Sequence, residues 1–486
     1  MPTRMPKLRR PHRPFHALLL VGISLVAPIG AGAATVTVTT DLDSDVDDSF
    51  CSLREAIVAA NDDAAYHGCS AGAGADRIVF SLALPATIAL GSDLPVIAST
   101  LAIRGPGADQ LAIDGQDLHR LLRVNPPIGI HPWLGVEELT LTRGLAPDHG
   151  GGARIVSGAV GYFRRVRFLS NRATNGGGGL AVTTLGVAGV EECWFSGNVA
   201  LGPSGGGGIA AFGPSAQILI DRTTISGNHA DAATAAAGGL AVKHSSVTVT
   251  RSTISGNSAT GSGGGILLQS AADPASLVLH DSTVTNNVSD SNLNNVSGKG
   301  GGIAADSSVL SPATLELRNT IIAGNLDSNV SSGSNVHPDV SLGSNLVFDS
   351  LGFNLIGSNA GSTAYLVAGL PNGDGDWVGS DGAAIDPELG ALLPSGGFGP
   401  SHAPTDSPTS RVVDHGSCPG SGSDQRGYGN TAAHVRIVDL PVANGAGSDG
   451  CDVGAHELGG GSGTDPGLFA DDFEAGHLLY WDRSTP

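Results

Sequence analysis

The sequence predicts an all-β protein: a right-handed single-stranded parallel β-helix of about ten rungs. Two recurring markers and one missing period carry this. Asn171, Asn198, Asn228, Asn257, Asn287 and Asn325 recur at steps of 27, 30, 29, 30 and 38 residues. Glycine-rich runs ending at Leu180, Ile209, Leu240, Ile266 and Ile303 keep the same beat. Between the markers lie short alternating stretches such as Ile218–Ile220 and Val247–Val249, and no helical period of 3.6 residues. Each period therefore holds three short strands and their turns, and one period stacks on the next at strand-pair spacing, about 4.8 Å.

The columns of this repeat follow from strand geometry. Three residues before each asparagine stand Phe168, Phe195, Ile225, Ile254, Val284 and Ile322, expected to face the core. Two residues earlier, on the same face, come Val166, Cys193, Thr223, Ser252, Ser282 and Thr320, all small or medium. This places Cys193 inside as an inert thiol. The column one residue before that reads Arg165, Glu192, Arg222, Arg251, Asp281 and Asn319, expected outside as a ladder of partly compensating charges. Its sharper reading is a stripe that binds a ligand. Thr224, Thr253 and Thr283 form a second outward file. The asparagines are expected to form a structural ladder at a turn, since stacked amides bond one another and the backbone.

Taken in chain order, residues 1–33 read as a signal peptide. Arg4, Lys7, Arg9, Arg10 and Arg13 precede an apolar run, and Ala31-Gly32-Ala33 supplies small residues for cleavage. Removing those five basic residues takes the net charge from −20 to −25. Secretion to the exterior or the outer cell surface is the expectation, with no membrane span. An oxidising destination pairs neighbouring cysteines as disulfides, Cys51 with Cys69 and Cys418 with Cys451, leaving Cys193 over. Residues 34–75 form an N-terminal cap, in which Leu53, Ile57 and Ala60 share one face of a short helix. Residues 76–370 are the β-helix, 371–458 a loop-rich C-terminal module, and 459–486 a glycine-rich linker and tail.

Composition narrows the function. Glycine supplies 73 of 486 residues, about twice the usual share of roughly 7 %, and it sits at the turns. With 25 Lys+Arg against 45 Asp+Glu, nucleic acid and anionic membranes are poor partners. Aromatic residues make up 4 % of the chain, which leaves few platforms for stacking sugars. Asp221, Asp231, Asp281, Asp306 and Glu316 scatter over different columns, so no carboxylate pair marks a catalytic groove. Gly202–Gly206 fits G-x-S-x-G and His149–Gly152 an oxyanion-loop pattern, but neither has the strand–turn–helix context of a nucleophile elbow. No cofactor is expected. Asp41-x-Asp43-x-Asp45 and Asn372-x-Asp374-x-Asp376 resemble the start of calcium loops without their glycine and final glutamate.

Several segments resemble known families. Cys51-Ser-Leu-Arg-Glu-Ala56, with Asn61 and Cys69, matches the motif that names the CSLREA-domain proteins. The Gly-Gly-Ile/Leu and Phe-x-x-Asn markers are similar to polymorphic outer-membrane protein repeats of chlamydial type. Asp386–Gly390, Gly396-Gly397, His402, Ser407-Pro408, Asp414, Asp424–Gly427 and Cys451–Glu457 resemble the choice-of-anchor Q module. Leu468–Gly476 with Tyr480-Trp481 resembles a tail of exported gammaproteobacterial proteins, which implies sorting or docking. These resemblances imply architecture and export rather than catalysis. The expectation is a secreted or surface-displayed, monomeric protein acting in adhesion or in binding an extracellular glycan or surface protein. The alternative is a polysaccharide lyase or glycoside hydrolase of the pectate-lyase-like β-helix type.

Overall fold

The computed structural model describes residues 33–127, 129–156, 158–232, 236–292, 299–328, 338–405, 407, 409–417, 423–426, 448 and 450–458. The expected signal peptide (all but Ala33), Cys418 and the linker and tail 459–486 lie outside the described residues. What is described is a right-handed parallel β-helix with one α-helix. A full turn contributes four strands rather than three, as in Leu180–Thr183, Val187–Glu191, Trp194–Ser196 and Val199–Ala200. Each pairs in parallel with its counterpart one turn on: Leu180 with Ile209, Val187 with Gln217, Trp194 with Thr224, Val199 with His229. The four ladders are called glycine-led, long, short and minor below, in that order.

The glycine-led ladder has eight strands, so the solenoid makes about eight turns rather than ten. The earliest segments build partial turns. Thr35–Val38, Asp76–Phe80 and Leu101–Arg104 join the long ladder, and Ala86–Ala89 and Leu111–Asp114 the short one. Counting every apolar strand as a rung therefore overstates the number of turns.

The interior is the column the repeat specifies. Phe168, Phe195, Ile225, Ile254, Val284 and Ile322 are fully buried, and the first two rings stack with centroids 4.3 Å apart. The asparagines run beside them as one continuous chain. Each Nδ2 donates to the next Oδ1, from Asn171 through Asn198, Asn228, Asn257 and Asn287 to Asn325, at 2.8–3.0 Å. Each of those Oδ1 atoms also accepts a backbone N–H from the preceding turn, which satisfies polar groups that the bend would leave unpaired. Glycine lets the next segment approach. A Cβ on Gly178 would lie 2.5 Å from the Gly207 carbonyl oxygen, and Gly177 before it holds φ +66°.

The N-terminal helix, Leu53–Asp62, closes one end, and each residue of Cys51–Ala56 has a physical task. Cys51 is disulfide-bonded to Cys69. Ser52 caps the helix in a reciprocal capping box with Glu55. Leu53 and Ala56 are buried, and Arg54 bridges Asp43 and the carbonyls of Ser92 and Asp93. Asn61 ties the helix to the first turns, accepting from Ala98 N and donating to Val96 O.

The C-terminal part is not a separate outer lobe. The hairpin Leu389–Leu393 with Ser401–Pro404 and the segments 423–426 and 450–458 lie back along the short ladder. Thr224, Thr253 and Thr283 point out of the solenoid as the alternation predicts, but that module covers all three, so the file is buried rather than a free surface. Thr224 donates to Pro400 O and accepts from Gln425 Nε2, Thr253 meets Gln425 Oε1, and Thr283 accepts from Ala455 N. Hydroxyls that look like a surface pattern are the polar half of an interface.

Candidate functional site

Two adjacent strands, Trp133–Thr142 and Val160–Leu169, run unbroken from the long into the short ladder. Both bend at a left-handed residue, Glu138 at φ +56° and Arg165 at φ +52°. The same corner recurs at Glu192, Arg222, Arg251, Asp281 and Asn319, so the charged column marks the turn between two ladders. On the outer face before the bend, alternation places Tyr162 and Arg164 on either side of inward Phe163, with Arg164 exposed and Tyr162 covered by its neighbours. After the bend it presents Arg167.

The outward position one turn from Tyr162 is glycine on either side. Tyr162 pairs in register with Gly135 and with Gly189. A Cβ on Gly135 would fall 2.1 Å from the Trp133 ring, and one on Gly189 would fall 3.0 Å from the Tyr162 ring. Both rings therefore lie flat over glycine backbone. They stack on each other with centroids 6.4 Å apart and planes at 24°. The Tyr162 hydroxyl donates to Glu191, and burial pushes its pKa up, so it stays a neutral donor.

Between the corner and the C-terminal module lies a cavity of about 640 Å³ that the two rings do not line. Its walls include Asp109, Glu138, Arg164, Arg165, Arg167, Glu192, Phe398 and Arg426. Phe398 reaches across from the module, with the Arg165 and Arg167 guanidiniums 5.7 and 5.5 Å from its ring centroid. Arg165 pairs with Glu138 at 3.0 Å, Glu192 with Arg222 at 3.4 Å, and Arg426 with buried Asp424 at 2.6 Å. Among the described residues neither Arg164 nor Arg167 has a carboxylate within 4.0 Å, and the Arg167 Nε is buried without a hydrogen-bond partner. The cavity thus presents Arg167, with no carboxylate in ion-pair reach among the described residues, and Arg164, whose charge the more distant Glu192, Glu191 and Glu137 favour, an arrangement suited to a carboxylated ligand.

The residues singled out from sequence serve structure or lie elsewhere. Asn171 to Asn325 are the interior ladder, and Cys51–Cys69 holds the cap. Cys451 is buried; its expected partner Cys418 is outside the described residues. Cys193 is fully buried, and burial pushes its thiol pKa up, away from reactivity. Ser204 sits in a loop between two strands rather than at a strand–turn–helix elbow, and His149 stacks on Phe212 at 5.9 Å and meets Asn175 through Nε2. Asp43 is committed to Arg54 and to Gly91 N, and Asp376 to Asn354 and Ser350. Asp45, Glu55 and His67 bring three donor atoms within 4.8 Å of one another. Both Glu55 oxygens there accept backbone N–H groups, from Val46 and Ser52.

Sequence reasoning reached Arg165 and Glu192 through their column but missed Trp133, Tyr162, Arg164, Arg167 and Phe398. The available signal was local: glycine at an outward strand position beside an aromatic, and three arginines within Arg164–Arg167. A family model described as a right handed beta helix region matches residues 136–325, which spans this corner. No curated protein matches the chain.

Proposed function

We propose that this right-handed β-helix protein is a non-catalytic binding protein for carboxylated glycans, displayed outside the cell, with the groove at the ladder corner as its site. The observation that carries this is the pair of guanidiniums on one cavity wall, Arg164 and Arg167, neither in a close ion pair among the described residues, in a chain of net charge −20. Half-buried Trp133, stacked on buried Tyr162, offers an apolar surface for a sugar ring, and Arg164 and Arg167 offer donors for its carboxylate. Glu138 and Glu192, the carboxylates nearest in design to an acid–base pair, are each held by an arginine, which favours binding over cleavage. Export rests on the sequence pattern of residues 1–33.

The test is binding of the purified protein to uronate-rich and neutral oligosaccharides. Uronate-rich ligands bind preferentially, and Arg164→Ala and Arg167→Ala each weaken them about tenfold, as loss of one charge-assisted contact predicts. Equal affinity for neutral and acidic glycans would sink the proposal. Turnover of a polysaccharide that Glu192→Gln abolishes would replace it with the lyase or hydrolase reading.

A further inference from the structure

A second basic cluster lies on the glycine-led face. Arg123 and Arg154 occupy matching positions of the paired strands Leu122–Val124 and Ala153–Ile155. Their neighbours Leu122, Val124, Ala153 and Ile155 point into the core, so both arginines point out, stacked about 4.8 Å apart. Like charges directly opposite on a ladder are destabilising unless something compensates them. Arg120, only 5 % exposed, joins them from the preceding loop. One carboxylate, Asp148, pairs with both Arg120 and Arg154. Asp93 acts on Arg120 at longer range. The Nε atoms of Arg120, Arg123 and Arg154 are all buried without a hydrogen-bond partner, as is Nδ1 of adjacent His149.

Positive charge gathered this densely, and this poorly paired, is out of keeping with a chain of net charge −20. The neighbouring ion pairs of the corner column show that the fold compensates arginines elsewhere. The cluster opens to solvent at Asp148, whose side chain is 43 % exposed. Burial together with Arg154 and Arg120 pushes the His149 pKa down to about 4, so His149 is neutral near pH 7 and can donate or accept without adding charge. Along the same outward file the next residues are Ala181, Ala210 and Ala241, which leaves the arginines as the charged end of an otherwise small, buried stripe.

We infer that Arg120, Arg123 and Arg154 form a binding site for a tetrahedral oxyanion, a sulfate or phosphate group either free or as an ester on a sugar. Such a group matches two or three guanidinium forks at once and supplies the second negative charge that Asp148 alone does not. The site is separate from the groove at the ladder corner and does not depend on the function proposed for it.

The test uses the purified full chain in buffer free of sulfate and phosphate. Sodium sulfate raises Tm saturably by about 1–3 °C, whereas sodium chloride at matched ionic strength does not. The double variant Arg123→Gln, Arg154→Gln loses this response, and the groove variants Arg164→Ala and Arg167→Ala keep it. Glucose 6-sulfate binding more tightly than inorganic sulfate assigns the site to a sulfated glycan, and equal binding assigns it to the free anion. A response to chloride equal to that to sulfate, or an unaltered response in the double variant, overturns the inference. Should the double variant fail to fold, Asp148→Asn provides the second readout. Removing the competing carboxylate tightens sulfate several-fold, and unchanged or weaker binding overturns the inference.

Discussion

Asp339 ends the amide column and is its one carboxylate. Its Oδ1 accepts from the Asn325 side chain at 2.9 Å and backbone at 3.0 Å, and its Oδ2 accepts from Ser358 N at 2.8 Å. Burial raises its pKa from the ordinary 3.8 to about 6, against the hydrogen bonds that favour the anion. Because the folded pKa is the higher one, the folded state holds this proton better than the unfolded chain. That contribution is complete below pH 3.8 and is lost as pH rises through about 6, a loss of roughly 3 kcal/mol. Asp339→Asn keeps the acceptor for Asn325 and has no charge to bury. Thermal melts from pH 4 to 8 are expected to show a shallower decline above pH 5 in the variant, and parallel curves would refute the assignment. The six asparagines were legible from sequence because their spacing follows the turn. Asp339 was not, since it follows Asn325 by 14 residues and breaks the beat.

At the scale of the element, the cap shows how a short motif becomes a mechanical part. A ten-residue helix is marginal alone, so its stability comes from packing, capping and cross-linking. The Cys51–Cys69 bridge closes a loop of 18 residues, and reducing it or replacing both cysteines by serine is expected to cost about 3 kcal/mol of cap stability. Ser52→Ala removes the cap hydroxyl, at about 1 kcal/mol. Amide hydrogen exchange of residues 53–62 checks both, with faster exchange there and little change in the turns beyond residue 133. Uniform loss of protection along the whole solenoid would show that the cap is not an independent unit. The helix was legible because Leu53, Ile57 and Ala60 repeat on one face and all three are buried. The left-handed corner was not legible, because arginine, glutamate and aspartate at φ near +50° run against the usual preference for glycine.

At the scale of the molecule, the C-terminal module turns one face of the solenoid into an interior. Thr224, Thr253 and Thr283 exchange hydrogen bonds with it, Ser255 meets His402 at 2.8 Å, and Phe398 completes the cavity wall. Gln425→Ala leaves the hydroxyls of Thr224 and Thr253 without the amide that links them, at a cost of about 1–3 kcal/mol. The expected result is faster proteolysis within residues 386–458 and weaker glycan binding, with the turns from 160 to 325 still protected. Cleavage that begins in those turns would mean that the module stabilises the solenoid itself.

The sequence alone determined the β-helix, its inward column, its amide ladder and the helix that caps it. Those features depend on contacts between equivalent positions of successive turns, so the same residue type returns at each turn and periodicity reveals it. The tertiary structure decided which outward residues meet. Trp133 and Tyr162 come together because glycines at 135 and 189 leave room for their rings, and Arg167 meets Phe398 from 231 residues away along the chain. Contacts made once, between a repeat and a segment outside it, leave no period to read. They are set by how the C-terminal module folds back over the short ladder, and that is where the groove is made.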